Sequence, residues 1–305
     1  MSINFDEQNF KILENSYPVP MILDTDTFNE IDDQFAVVYA IMSPDKIDLK
    51  GITAEVFFNC RSTSYADGME KSYQEIQRIL TTLNLTEKIP ALKGSTRILK
   101  NKKDFVESAA ADFIISEAKK AKERNEKLFV AAIGALTNVA SAFNKAPEIA
   151  EDIVVIWLGG HEIEFDGNPR EFNLEGDVIA SQVVIESKAK MIRIPCWNVA
   201  GKLTIAAEEL HESLKGGGVA GEYLKDVFAS WWHNQINKII WDISAIACIN
   251  IPEAMETRII SKPKLDDECY WHHTDSEEKI MEITKIDRDK VFADLFARVK
   301  KHNNN

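Results

Sequence analysis

Residues 20–40 read PMILDTDTFNEIDDQFAVVYA, and the rest of the chain is read outward from them. Pro20–Asp26 is an apolar run of strand length that ends in two carboxylates, Asp24 and Asp26. A short polar loop follows, and Asp32 and Asp33 open the segment Ile31–Met42. There Phe35, Val38, Tyr39 and Met42 recur at the i, i+3, i+4, i+7 spacing of one helix face. A strand feeding a helix is the building unit of a parallel sheet, and ligands of open parallel sheets bind outside the carboxyl ends of the strands. All four aspartates fall at one such end.

The same alternation continues downstream. Ile47–Phe57, Lys127–Ile133, Asp152–Leu158 and Lys190–Pro195 read as strands, and Ser62–Leu83, Asp104–Arg124, Leu136–Asn144 and Gly176–Glu186 as helices. This predicts an α/β fold built on an open, mostly parallel sheet with helices on both faces. After residue 200 the spacing predicts a long helical region over Tyr223–Ile249. Strand-like runs follow at Thr257–Ser261 and Ile280–Ile286, then a closing helix at Arg288–Val299. No linker or repeat interrupts the chain, so the expectation is a single domain over residues 1–305 with a C-terminal helical cap over the active-site face.

Composition narrows the function classes. Hydrophobic residues make up 45% of the 305, enough to fill a core, and 49 acidic against 36 basic residues give a net charge of -13. That charge repels a polyanion, so nucleic acid is excluded as a general partner. No apolar run reaches the roughly 18–20 residues of a membrane span. The N-terminus lacks a basic stretch followed by an apolar one, and Cys60, Cys196, Cys248 and Cys269 form no CxxC pair. A cytoplasmic protein with reduced thiols is expected.

Three stretches carry chemistry. Four carboxylates at one strand end repel one another unless a cation lies among them, and all-oxygen ligation points to Ca²⁺ or Mg²⁺. The plainer reading is that Asp32 and Asp33 only favour the helix N-terminus. In IIWDISAIACI (239–249), Asp242 sits within an apolar run, where a lone buried carboxylate must pair, neutralise or ligate. Lys238 is its local salt-bridge candidate, and the Asp cluster is the distant alternative. In GGHEIEFDGNPREFNLEGD (159–177), Asn168, Glu171 and Asn173 combine donors and acceptors suited to sugar hydroxyls, although Gly- and Asn-rich loops are commonly plain turns.

Taken together, these stretches resemble the nucleoside hydrolase family of the inosine–uridine-preferring type. The resemblance rests on Asp24, Asp26, Asp32 and Asp33, then GALTN with Thr137 and Asn138, then Gly159–Gly160 with EFN at 171–173, and the late Asp242. It runs over about residues 20 to 300. It implies Ca²⁺-dependent hydrolysis of the N-glycosidic bond of ribonucleosides, with Ca²⁺ held by Asp26, Asp33, Asp242 and the backbone carbonyl of Thr137. Asp26 would also be the general base, and Asp24 would orient these ligands from behind. Asp32, Asn168, Glu171 and Asn173, joined by Asn59, would hold the ribose hydroxyls. A nucleoside is the implied small-molecule partner and a homo-oligomer, dimer or tetramer, the implied assembly.

The chain also departs from that pattern. The loop TFNEI between Asp26 and Asp32 is two residues longer than usual, and Asn29 within it is a ligand contact or a turn former. Trp241 stands where the family often has a His proposed to protonate the leaving base. A Trp cannot act as that acid but can stack on a base, as in the purine-specific branch. Phe172, Trp231 and Trp232 are further stacking candidates, or core residues. His161 and His233 remain as candidate leaving-group acids, and a purine-leaning specificity is the expectation. Two other readings stay open. LDTDT is also similar to the strand end of haloacid-dehalogenase-like phosphatases, and a non-catalytic nucleoside-binding protein on the same fold is the other.

Overall fold

The computed structural model describes residues 17–231 and 236–303. In chain order the first half contains β1 (Val19–Thr25), α1 (Asp32–Ile41), β2 (Ile47–Ala54), α2 (Tyr65–Thr82), β3 (Ala91–Lys93), α3 (Ala109–Glu123), β4 (Leu128–Ala132) and α4 (Thr137–Lys145). There follow β5 (Ile153–Leu158), α5 (Phe172–Gly176), α6 (Val178–Glu186), β6 (Lys190–Ile194), β7 (Thr204–Ala206), α7 (Ala207–Ser213) and α8 (Gly218–Ala229). The chain closes with β8 (Asn237–Ile239), α9 (Ile243–Asn250), β9 (Met255–Ser261), β10 (Lys264–Leu265), β11 (Trp271–His272), β12 (Lys279–Ile286) and α10 (Arg288–Asn303).

Eight strands form one sheet in the order β3-β2-β1-β4-β5-β6-β12-β9, parallel throughout except for β9, which runs antiparallel to β12. The chain leaves β1 toward β2 and β3, then returns to place β4, β5 and β6 on the other side. Strand order therefore reverses between β1 and β4, and a crevice opens there at the carboxyl ends. Along β1 successive side chains face opposite layers. Met21 and Leu23 join the core under α1, α2, α8, α9 and α10, whereas Ile22 joins the core under α3, α4 and α6. This sheet sandwiched by helices is the architecture the alternating pattern predicts.

The C-terminal part departs from its expected course. The region expected as one helix, Tyr223–Ile249, is α8, β8 and α9, with residues 232–235 outside the described residues. β8 pairs antiparallel with β7, setting Thr204 against Ile239 and Ala206 against Asn237. A segment as short as 236–240, with Ile236, Ile239 and Ile240 around Asn237 and Lys238, has no helical period of its own, and β-branched side chains take a strand partner when one is offered. Asp242 is consequently not inside a helix but at the N-cap of α9. β12 and β9 extend the main sheet, which puts the chain's last strands in the same hydrogen-bonded layer as its first. Among the described residues no helix is long and apolar enough to cross a membrane, and the four cysteines are free.

Candidate active site

The alternation along β1 also decides where its carboxylates go. Asp24 lies on the side of Ile22, fully buried, and accepts hydrogen bonds from Thr53 Oγ1 at 2.6 Å and Asn138 Nδ2 at 2.9 Å. Thr25 points to the opposite layer and donates to Asp33 Oδ1 at 2.5 Å. Asp24 thus lies beneath the crevice and does not line it. Asn138 joins three elements there: its Oδ1 accepts the Ser95 N–H at 2.7 Å, and its own N–H donates to Glu55 Oε2 at 2.8 Å. Glu55, just past β2, is a further buried carboxylate absent from the sequence-based set. Its signal was the same as that of Asp242, a carboxylate within an apolar run (ITAEVFF, 52–58).

Above this support the first turn of α1 and the start of α9 converge. Asp32, Asp33 and Asp242 are buried, and each offers an oxygen within 4.8 Å of the others. Asp26 joins them from the end of β1. At the end of β4, Gly134 packs so closely that a Cβ there would meet Asp26 Cγ at 3.3 Å. Burial, reinforced by the neighbouring carboxylates, pushes Asp26 and Asp242 well above the usual carboxylate range and Asp33 up to about 7. Burial alone moves Asp24 up to about 6, against the hydrogen bonds of Thr53 and Asn138. Asp24 Oδ2 and Asp26 Oδ2 are buried without a hydrogen-bond donor, and Asp32 Oδ1, also without one, faces the Lys238 ammonium at 3.5 Å. Oxygen-only donors and unpartnered buried carboxylate oxygens fit a hard divalent cation.

Asp26, Asp32, Asp33 and Asp242 line a cleft of about 500 Å³ that also takes in Asn59, Asn168, Glu171, Asn173, His161 and Trp241. The sugar contacts expected from sequence are therefore gathered along one cleft with Asp26, Asp33 and Asp242. Glu171 caps α5, accepting from the Gly160 N–H (2.8 Å), the Asn173 N–H (3.0 Å) and the Leu174 N–H (3.0 Å). Asn173 Nδ2 donates to Leu158 O at 2.9 Å and Ile133 O at 3.3 Å, tying the β4 and β5 ends. Asn29 is a turn former whose side chain also reaches the cleft. Its N–H closes a turn on Asp26 O at 2.7 Å, and it lines the cleft while Asn59 Nδ2 donates to its Oδ1 at 2.6 Å.

Some expectations land elsewhere. Thr137 lies in the first turn of α4, its hydroxyl donating to Asp177 Oδ2 at 2.9 Å, and it does not line the cleft; Ile133 of the same segment does. Lys238 does not pair with Asp242; it pairs with Glu30 and lies 3.5 Å from Asp32 Oδ1. Trp231 is not among the cleft residues, and Trp232 and His233 lie outside the described residues. The aromatic wall is instead Phe165, Phe172, Trp197 and Trp241, of which Phe165 and Trp197 carried no periodic or motif signal. His161 packs against Phe165 with ring centroids 4.3 Å apart and planes tilted by 44°, and burial lowers its pKa. The burial of Asp24 beneath the cleft also removes the phosphatase reading, which needs that residue exposed as a nucleophile.

Comparison with known proteins agrees with this geometry. Among curated sequences the chain is 27% identical over 190 residues to the pyrimidine-specific ribonucleoside hydrolase RihA of Escherichia coli, covering 55% of this chain and 57% of that protein. It is 26% identical over 231 residues to probable uridine nucleosidase 2 of Arabidopsis thaliana, covering 67% of each. Among solved structures, the fold matches a plant nucleoside hydrolase, PpNRh1, with a TM-score of 0.72 at 18% identity over 93% of this chain and 99% of the other. A purine-preferring ribonucleoside hydrolase from Gardnerella vaginalis matches with a TM-score of 0.71 at 20% identity, again over 93% and 99%. The family model for inosine-uridine preferring nucleoside hydrolases matches residues 21–293, and with that span, which holds the whole carboxylate cluster, the chain belongs to that family.

Proposed function

We propose that the protein hydrolyses the N-glycosidic bond of ribonucleosides, releasing free base and ribose, with Ca²⁺ as its cation. The observation that carries this reading is one cleft in which a buried carboxylate cluster faces a hydrogen-bonding wall and an aromatic rim. Asp26, Asp33 and Asp242 would hold the cation. Ile133 lines the cleft, so a main-chain carbonyl ligand from that segment is assigned to it rather than to Thr137. The cation, when bound, neutralises the cluster and keeps the attacking water within reach of the sugar.

The remaining chemistry belongs to the side chains. Asp26, with its unpartnered Oδ2, takes the proton of the attacking water as the general base. Asp32, Asn59, Asn168, Glu171 and Asn173 hold the ribose hydroxyls. The surrounding carboxylates stabilise the positive charge that develops on the sugar as the bond to the base breaks. The base leaves along the aromatic rim, where Trp241 stacks and His161 is the hydrogen-bond donor. A flat two-ring base gains more contact from that rim than a one-ring base, which is the argument for a purine preference.

The test is ribose release from a panel of purine and pyrimidine nucleosides, with and without a Ca²⁺ chelator. Expected are chelator-sensitive release and faster turnover of inosine or guanosine than of uridine or cytidine. RihA is pyrimidine-specific, and a panel led by uridine or cytidine would reverse the base preference while keeping the reaction. Ca²⁺ binding with no release from any nucleoside would leave a binding protein in place of the hydrolase.

A further inference from the structure

Asp32, Asp33 and Asp242 are mutually within ligating distance, so distance alone does not say which carboxylates serve a cation and which serve a sugar. Lys238 breaks that equivalence. The β7–β8 pairing brings it from the C-terminal part of the chain to the carboxylate cluster, where its side chain is only 7% exposed. Its ammonium pairs with Glu30 and lies 3.5 Å from Asp32 Oδ1, with the Trp231 ring centroid 5.1 Å away. Three residues further on, the Trp241 N–H donates to Asp32 Oδ2 at 3.1 Å. One short segment therefore faces both oxygens of Asp32, by an ion pair on one and a hydrogen bond on the other, and among the described residues no other aspartate of the cluster forms an ion pair with Lys238. Burying an ammonium is costly unless its partners are fixed, and here they are. Arg61 Nη1 donates to the carbonyls of Asn29 (3.3 Å) and Glu30 (3.1 Å), and its guanidinium covers the Phe28 ring at 4.3 Å.

We infer that Lys238 is a positioning residue that divides the carboxylate cluster, holding Asp32 for the sugar and leaving Asp26, Asp33 and Asp242 for the cation. The inference rests on the hydrolase reading above. Asp32 already has a positive partner, and a divalent ion drawn toward it would meet the ammonium. Without Lys238, Asp32 would keep only the Trp241 N–H as a partner beside Asp33 and Asp242, and the cation would recruit its free oxygen. The extended Asp26–Asp32 loop is then part of the same device, because it carries Glu30, the second anchor of the ammonium.

Two measurements on the full chain test this, neither relying on turnover alone. In Ca²⁺ titrations by calorimetry, Asp32→Asn is expected to leave affinity within about threefold of wild type, whereas Asp33→Asn and Asp242→Asn lower it about 100-fold. Lys238→Met is expected to raise Ca²⁺ affinity, because a positive charge has left the neighbourhood, and Lys238→Arg to leave it unchanged. In kinetics with inosine and uridine, Lys238→Met raises KM about tenfold with little change in kcat. The inhibition constants of the corresponding 2′-deoxynucleosides stay within about twofold. These opposite effects separate positioning from damage. Weaker Ca²⁺ binding together with equal losses for ribo- and deoxynucleosides would make Lys238 a structural strut and overturn the inference. So would an Asp32→Asn protein that loses Ca²⁺ as severely as Asp33→Asn, a result that stands even if Lys238→Met does not fold. A wild-type protein that binds no nucleoside would instead fail the hydrolase reading itself, and the inference with it.

Discussion

Asp26 combines burial, three carboxylate neighbours and an oxygen that no donor reaches. Replacing it with Asn keeps the shape and removes both the charge and the proton acceptor. Asp26→Asn is expected to lower kcat about 100- to 10,000-fold, the usual contribution of a positioned base, while the far-ultraviolet circular dichroism spectrum is unchanged. Retention of more than a tenth of wild-type kcat would assign the base elsewhere. At this scale the sequence was informative wherever residue type was itself the signal. Asp24, Asp26, Asp32, Asp33 and Asp242 were legible because carboxylates are rarely placed in or beside apolar runs. Glu55 carried that same signal. Thr137 was misplaced for a different reason: GALTN shows which residues follow β4, but only the start of α4 turns Thr137 toward Asp177 and leaves Ile133 facing the cleft.

Between elements, the pairing of β6 with β12 ties the C-terminal strands to the cleft. Arg193 and Glu282 face each other in that register, fully buried and ion-paired, and Arg193 Nη1 donates to the His161 carbonyl at 2.6 Å. Arg258 Nε, from β9, donates to the other oxygen of Glu282 at 2.8 Å. Removing one member leaves a buried charge unpaired, so Glu282→Ala is expected to destabilise the fold by about 3–5 kcal/mol in urea unfolding. The same substitution loosens the His161 turn, so KM for nucleosides rises in whatever fraction stays folded. A change below about 1 kcal/mol would mean that water or another carboxylate replaces Glu282. The break of the expected Tyr223–Ile249 helix belongs to this scale too. Its apolar residues are equally compatible with helix and strand, and only the availability of β7 as a partner selects β8.

For the molecule as a whole, the carboxylate cluster makes stability depend on pH in a direction opposite to that of salt-bridged acids. Asp24 is raised to about 6 and Asp33 to about 7, against an ordinary value near 4. A carboxyl with a raised folded-state pKa binds its proton more tightly when folded. It favours folding fully below its unfolded value, and that contribution is lost as pH rises through the folded one. In the presence of a chelator, the melting temperature is therefore expected to fall as pH rises from about 4 to about 7. Saturating Ca²⁺ closes the gap, because the cation takes the protons' place and binds the folded state alone. Asp33→Asn raises the melting temperature of the chelated protein at pH 8 and flattens its pH profile. Differential scanning fluorimetry reads all three effects, and a chelated protein equally stable at about pH 5 and about pH 8 would show that the cluster is not under this strain.

The main strand–helix alternation before residue 200, the parallel sheet and the grouping of aspartates at one strand end were determined by the sequence itself, whereas the short strands β3, β7 and β8 were not. Each of the former is a local matter: run length, side-chain period, and the cost of placing a carboxylate among apolar neighbours. Which residues meet in the cleft was decided only by tertiary structure. Asp242 reaches the β1 end from 209 positions beyond Asp33, and Lys238 reaches Asp32 rather than Asp242, because β8 pairs with β7 and turns the ammonium toward the α1 start. Phe165 and Trp197 become a wall only when their loops fold over the crevice. Local physics sets the elements, while long-range burial, which no spacing within one segment records, sets the partners.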